Sequence, residues 1–332
     1  MKLRILNRND MLQAMTMADI IEADLDALKI SSRGKADIPL RTNLDIKAYN
    51  GQSLYMPGYV EDSHASGLKI ISVYPDNIEK NMVSVPSTMI LLDETNGFVK
   101  GVLDGTTLTQ LRTGAVSGAA TKLLAKEDAK TFLLIGTGGQ AKTQLEAVLT
   151  VRNLEKVYVC DLNRQRAEEF AKDMTKAFGE EFNVTIEPIS DADKVIGQCD
   201  IITTVTTSPS PVFDGNLIQP GTHINGVGSY TPDMQETPPQ VLQKADKIYF
   251  DTFEGVMEES GDVIHPLQQG LITKEAFTGE LGELALNKIK GRESEDEITW
   301  FKTVGSAVLD LVVGERIFQF AIEKNLGEEI EM

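Results

Sequence analysis

Between residues 131 and 251 short apolar runs alternate with stretches of helical period. The runs occupy 131–135, 157–161, 184–188, 201–204, 223–227 and 247–251. Runs of that length with helical crossovers between most of them predict an α/β fold with a doubly wound, mostly parallel sheet. A helix over 113–124 leads into this rhythm. The first third reads differently. Apolar residues at helical spacing from Met11 to Gly34 predict one helix, with Asn9 as its cap and Gly34 as its stop. Strand-like runs follow at 53–56, 65–73, 88–93 and 99–103, and Thr95-Asn96-Gly97 has the composition of a hairpin turn. This segment predicts a separate α+β domain. Residues 304–325 form a helical pattern that is apolar on more than one face, as expected of a helix packed on the N-terminal domain or on a second subunit.

The chemistry concentrates where the first αβ rhythm begins. The run 131–135 passes at once into Gly136-Thr137-Gly138-Gly139-Gln140-Ala141, then a helical pattern, then a second run ending on Asp161. Strand, glycine turn, helix, strand and acid in this order fit a dinucleotide. Gly136 permits the tight turn, Gly138 lets backbone approach a pyrophosphate, and small Ala141 lets the helix sit close to the strand. Asp161 is placed to accept hydrogen bonds from a ribose. It favours NAD(H), because its charge repels a 2′-phosphate. Arg164 and Arg166, close behind it, keep NADP(H) as the alternative.

Composition narrows the classes. With 32 basic against 50 acidic residues the formal charge is −18, which argues against a nucleic-acid partner. No apolar run approaches the ~20 residues of a membrane span, and the N-terminus lacks the apolar stretch of a signal peptide. Cys160 and Cys199 read as buried thiols of a reducing compartment, so a cytoplasmic protein is expected. In so acidic a chain an anionic substrate needs placed cations. Three stand out: Arg41 after Ile38-Pro39-Leu40, Lys69 inside an apolar run, and Arg112 where a helix is expected to start. A lone Lys on a strand is more often a solvent-facing residue, and pattern alone does not bring the three together. His64, His223 and His265 are too scattered for a metal site and read as structural. The hydroxyl-rich strand end Thr203 to Ser208 fits either a dinucleotide site or a plain Thr-rich strand, and Gly226 and Gly228 could let backbone pass beside a nicotinamide.

Gly67-Leu68-Lys69, Arg112-Thr113-Gly114-Ala115, the loop 136–141, Gly221-Thr222-His223-Ile224-Asn225 with Gly228, and Phe301-Lys302-Thr303-Val304-Gly305 together resemble the ornithine cyclodeaminase/mu-crystallin family over nearly the whole chain. The resemblance implies a Rossmann-type domain, 113–303, inserted into a smaller substrate-binding and dimerisation domain, 1–112 plus 304–332, with the active site in the cleft and a homodimer as the assembly. It implies that Arg41, Met56, Lys69 and Arg112 bind the substrate, with Lys69 near the reacting carbon and nitrogen. The cofactor would meet the loop 136–141, Asp161, Arg164, Thr206, Thr207, Ser208, Gly226, Val227, Gly228, Lys302 and Thr303. Lys69, Arg112 and Tyr230 are the catalytic candidates.

One departure from the family pattern decides the expected reaction. Ornithine-cyclising and alanine-dehydrogenating members carry an Asp two positions after the glycine matching Gly228, where this chain has Tyr230. A cyclodeaminase needs a base to take a proton from an ammonium group. Tyrosine, with a reference pKa near ~10, serves poorly. Asp233 is the nearest acid, three residues along. Reduction of a cyclic imino acid asks less, so the expectation is an NAD(P)H-dependent reductase giving proline or pipecolate. Ornithine cyclodeamination, opine-type or alanine-type dehydrogenation, and mu-crystallin-like ligand binding are the alternatives.

Overall fold

The structure is a computed structural model that describes residues 2–39, 41–80 and 82–331, apart from the side chain of Ile78. The chain divides into two compact units, Met1–Arg112 with Ser306–Met332, and Thr113–Gly305.

The first unit opens with β1 (Lys2–Leu6), α1 (Arg8–Ala14) and α2 (Met17–Ser31). The apolar period from Met11 onward is therefore two helices, and Asn9 caps neither. Asn7 accepts from the Asn9 and Asp10 N–H groups while Asp10 returns a bond to Asn7, and Thr16 with Asp19 repeats the box. This second capping box stops α1 and restarts the chain as α2 without breaking the apolar stripe, which is why the pattern reads as one helix. Strands β2 (Ala36–Asp37), β3 (Thr42–Ile46), β4 (Gly51–Val60), β5 (Ala65–Val73), β6 (Ser87–Leu92) and β7 (Val99–Asp104) join β1 in the order β1-β7-β6-β5-β4-β2, with β3 also on β4. The 93–97 turn forms: Asp93 O accepts from Gly97 N at 2.8 Å, and Gly97 takes φ +78°. Next, α3 (Gly105–Leu124) starts earlier than the apolar pattern suggests, so Arg112 lies mid-helix, at the point where the first unit ends.

The second unit contains β8 (Thr131–Ile135), α4 (Ala141–Val151), β9 (Lys156–Cys160), α5 (Arg164–Met174), β10 (Thr185–Ile189), β11 (Ile201–Thr204), β12 (His223–Gly226), α6 (Pro239–Lys244), β13 (Lys247–Phe250), α7 (Phe253–Glu259), α8 (Gly261–Gln268), β14 (Gly279–Glu280), α9 (Leu281–Ala285) and β15 (Thr299–Lys302). Its sheet runs β10-β9-β8-β11-β12-β15-β13-β14, every pair parallel. Both faces are buried, as a parallel sheet covered by helices requires. Phe132 and Leu134 face one apolar cluster while Leu133 and Ile135 face the other. The order reverses between β8 and β11, so the carboxyl ends of these two strands flank the crevice where such sheets take ligands.

The chain returns to the first unit with α10 (Ala307–Glu323) and β16 (Glu328–Glu331), the latter antiparallel to β1. The apolar faces of α10 are used inside its own unit. It lies on α2 and across β4, β5 and β6. A Cβ at Gly67 would come within 3.3 Å of Leu311, and one at Gly101 within 2.7 Å of the Phe318 ring. Among the described residues no helix is long and apolar enough to cross a membrane.

Candidate active site

In the first unit, alternation along β5 turns Ala65, Gly67 and Lys69 inward, so Lys69 occupies a core position rather than a solvent-facing one and is 1% exposed. Its cross-strand neighbours are Met56 on β4 and Met89 on β6, both buried. A buried ammonium needs a partner. It donates to Oδ2 of Asp310 on α10, and the other oxygen, Oδ1, accepts from Arg112 Nε at 3.0 Å. Asp310 is itself fully buried. One carboxylate thus binds a cation from a strand and a cation from a helix. Burial pushes the Lys69 ammonium down to about 8; the Asp310 carboxylate holds it up against this, and the positive charges of Arg112 and Arg41 lower it further. All three cations singled out in the sequence therefore share one electrostatic neighbourhood.

Two acids of this neighbourhood escape a reading by pattern. Asp310 stands in Val308-Leu309-Asp310-Leu311-Val312, and Asp24 of α2 in Ala23-Asp24-Leu25. Each is an acid within an apolar helix face, which is the signal that would have found them. Asp24 is fully buried, and neither of its oxygens has a hydrogen-bond partner among the described residues. Burial raises its carboxyl well above the ordinary range, with Arg112 pulling it down and Asp310 pushing it up.

In the second unit the glycine loop has the geometry that an anion needs. Gly136 takes φ +104°, and a Cβ there would stand 2.7 Å from Val205 O, on the loop after β11. Around Gly138 a Cβ would meet nothing within 4 Å, so its side is open. Ala141 begins α4, which has no side-chain cap and no acid in its first turn. The positive end of that helix is uncompensated and suits a diphosphate. Thr137 donates to Asp161 Oδ2 through its N–H at 2.9 Å and its hydroxyl at 2.6 Å, and Asn163 N donates to Oδ1 at 2.9 Å. Burial works to raise the Asp161 carboxyl, but these hydrogen bonds and the charge of Arg166 outweigh it and hold it below its usual value. Arg164 is exposed and pairs with Glu168 at 2.8 Å.

At the other strand ends, buried acids tie the loops together. Glu236, fully buried, accepts from Thr206 N through Oε1 and from Ser229 N at 2.8 Å through Oε2, joining the loops after β11 and β12. Burial and the neighbouring Asp262 push Glu236 up to about 7. Asp262 accepts from Glu236 N and Thr237 N through Oδ1 and from Lys302 Nζ at 3.0 Å through Oδ2. Lys302, at the end of β15, is fully buried in this pair, and Thr303 donates to Asp251 at 2.6 Å. Gly228 is required by loop contact, since a Cβ would lie 1.9 Å from Thr206 O; at Gly226 one would meet Trp300 at 3.2 Å. Val227 is buried, Thr206 and Ser208 are half-buried and bonded to each other, and Thr207 is exposed. Thr203 and Thr204 face the core. Tyr230 is half-buried; Asp233 is exposed and accepts from the Thr231 hydroxyl at 2.6 Å, a bond that lowers its carboxyl.

Residues 1–325 match the ornithine cyclodeaminase/mu-crystallin family. The chain belongs to this family. Within it, a Δ1-pyrroline-2-carboxylate reductase of Bacillus cereus is 37% identical over 327 residues, 98% of this chain and 99% of that protein. The solved Thermococcus litoralis Δ1-pyrroline-2-carboxylate reductase, in complex with NADH and L-proline, superposes with a TM-score of 0.93 at 38% identity, covering 98% of this chain and 100% of that one. An archaeal alanine dehydrogenase dimer with bound NAD superposes at 0.91 with 31% identity over the full length of both.

Proposed function

We propose that the protein reduces Δ1-pyrroline-2-carboxylate to proline with NADH. The observation that carries the choice of reaction is the absence of a poised base at the 230 position. Tyr230 stands there, and Asp233 is exposed, with its carboxyl lowered by Thr231. A lowered carboxyl is a poor base at neutral pH. The full-length similarity to two reductases of this imine supports the same reading.

The substrate carboxylate pairs with Arg41, Lys69 and Arg112, and Met56 supplies the apolar floor beside Lys69. A bound NADH would supply the hydride that the imine carbon requires. If the imine arrives neutral, the Lys69 ammonium gives nitrogen a proton and recovers one from solvent; an iminium needs no donor. A Lys held near 8 is suited to donate at neutral pH. The loop 136–141 would hold the diphosphate and Asp161 the adenosine ribose, favouring NADH over NADPH. Thr206–Ser208, Gly226–Gly228 and Lys302–Thr303 would line the nicotinamide end. Reduced Cys160 and Cys199 support a cytoplasmic setting, and the dimeric alanine dehydrogenase supports a homodimer.

The test follows absorbance of reduced nicotinamide with the imine and NADH or NADPH, beside ornithine plus NAD assayed for ammonia. Oxidation of NADH by the imine, at least ~10-fold faster than NADPH at limiting cofactor, with no ammonia from ornithine, is expected. Ammonia and proline from ornithine would replace the reductase reading with cyclodeamination.

A further inference from the structure

Lys69 and Arg112 come from separate elements, β5 and α3, and the reduction needs both held to within a fraction of an ångström. Neither side chain is rigid by itself. Asp310 joins them. It projects from α10, is fully buried, and gives one oxygen to each: Oδ2 to the Lys69 ammonium and Oδ1 to Arg112 Nε at 3.0 Å. That arrangement engages Arg112 through Nε and leaves both of its amino groups outside the pair. An ammonium has three N–H donors, so Lys69 keeps two beyond the one given to Asp310. The remaining donors are of the kind that bind a carboxylate and a ring nitrogen.

We propose that Asp310 is the positioning residue of the imine site: its single carboxylate fixes the Lys69 ammonium and the Arg112 guanidinium in one arrangement and keeps on Lys69 the proton that a neutral imine takes up. This rests on the reductase reading given above. The charged and titratable groups facing Lys69 are Asp310 from α10, Arg112 from α3 and Arg41 ahead of β3. Asp24 from α2 faces Arg112 and Asp310. Lys69 and Arg112 meet Asp310 at the centre, Arg41 adds a third positive charge near Lys69, and burial works against a second negative charge on Asp24. The cluster therefore retains positive charge for a substrate anion. Asp310 favours the charged form of Lys69 against desolvation and the two arginines. Removing it should release the proton at lower pH.

The experiment compares wild type, Asp310→Asn and Asp310→Glu in imine reduction across pH 6–10, with NADH binding measured by fluorescence as the check on folding. In wild type the alkaline limb of kcat/KM is expected near 8. Asp310→Asn should raise KM for the imine by ~10-fold or more, lower kcat, and move the alkaline limb down by about one pH unit, with NADH affinity within ~2-fold of wild type. Asp310→Glu should restore the limb while leaving KM raised, because the charge returns and the geometry does not. An Asp310→Asn enzyme that binds NADH and keeps both the wild-type KM and the wild-type limb overturns the proposal. If wild type reduces no imine, the reductase reading fails instead. L-proline binding by calorimetry then decides the role of Asp310: weaker binding in Asp310→Asn sustains it, and equal binding overturns it.

Discussion

His223 sits in a closed set of side chains in the second unit. Its Nδ1 meets Thr299 Oγ1 at 2.8 Å and its Nε2 meets Asn225 Oδ1 at 3.1 Å, while Asn225 donates onward to Thr121 and Thr203. Burial, with the positive charge of Arg292 beyond, pushes the imidazole down to about 3. Glu236 is displaced the other way, to about 7. Their effects on stability have opposite signs. For His223 the unfolded chain binds the proton first, so native stability is full above ~6.5 and is lost as pH falls toward 3. For Glu236 the native state binds the proton first, so its contribution is full below ~4.5 and is lost as pH rises through 7. Between about 4.5 and 6.5 the two slopes oppose each other. His223→Asn should unmask Glu236: relative to wild type the variant gains ~1 kcal/mol between pH 7 and 5.5. Urea unfolding midpoints over that range measure it, and parallel pH curves for the two proteins would show that His223 titrates normally.

At the level of elements, the C-terminal end of α3 depends on two arginines that no pattern singles out. Arg152, just after α4, donates from Nη2 to Thr121 O and Ala125 O at 2.8 Å and to Lys122 O at 3.1 Å, and from Nε to Lys126 O at 2.8 Å. Arg292 donates to Leu124 O at 2.7 Å. The last carbonyls of a helix have no partners within it, and a cation there also answers the helix dipole. Arg152→Ala should cost ~2–4 kcal/mol, read as a fall in the denaturation midpoint. Arg152→Lys should recover less than half, because an ammonium lacks the fork that reaches several carbonyls. In the sequence Arg152 is merely a basic residue in a loop, since its partners lie up to 31 positions away. The same limit explains what else stayed hidden. The loop 136–141 with its strand and helix is local chemistry and was legible, as were β8, β11 and the 93–97 turn. The strand β15 is four residues long after an acidic stretch and is inserted between β12 and β13, a placement that only the assembled sheet defines. Lys69 and Arg112 could be picked as unusual, but their meeting at Asp310 spans 241 and 198 positions.

For the molecule as a whole, 32 basic and 50 acidic residues give a formal charge of −18, and the proposed substrate is an anion. The cations that would bind it do little to attract it from a distance: Lys69 is 1% and Arg112 6% exposed, and Asp310 offsets one of their two charges. The far field is therefore repulsive while the contact field is attractive. Salt separates the two, because the Debye length falls from ~30 Å at 0.01 M to ~10 Å at 0.1 M. Screening at that range removes repulsion from the dispersed surface acids and leaves short buried contacts nearly untouched. With NADH saturating, kcat/KM for the imine should rise about twofold between 10 and 150 mM potassium chloride, while kcat stays level. Steady-state rates at low imine concentration measure this. A fall with salt would mean that the cations near Lys69 reach past the acidic surface and steer the substrate, and that the net charge is the wrong quantity to reason from.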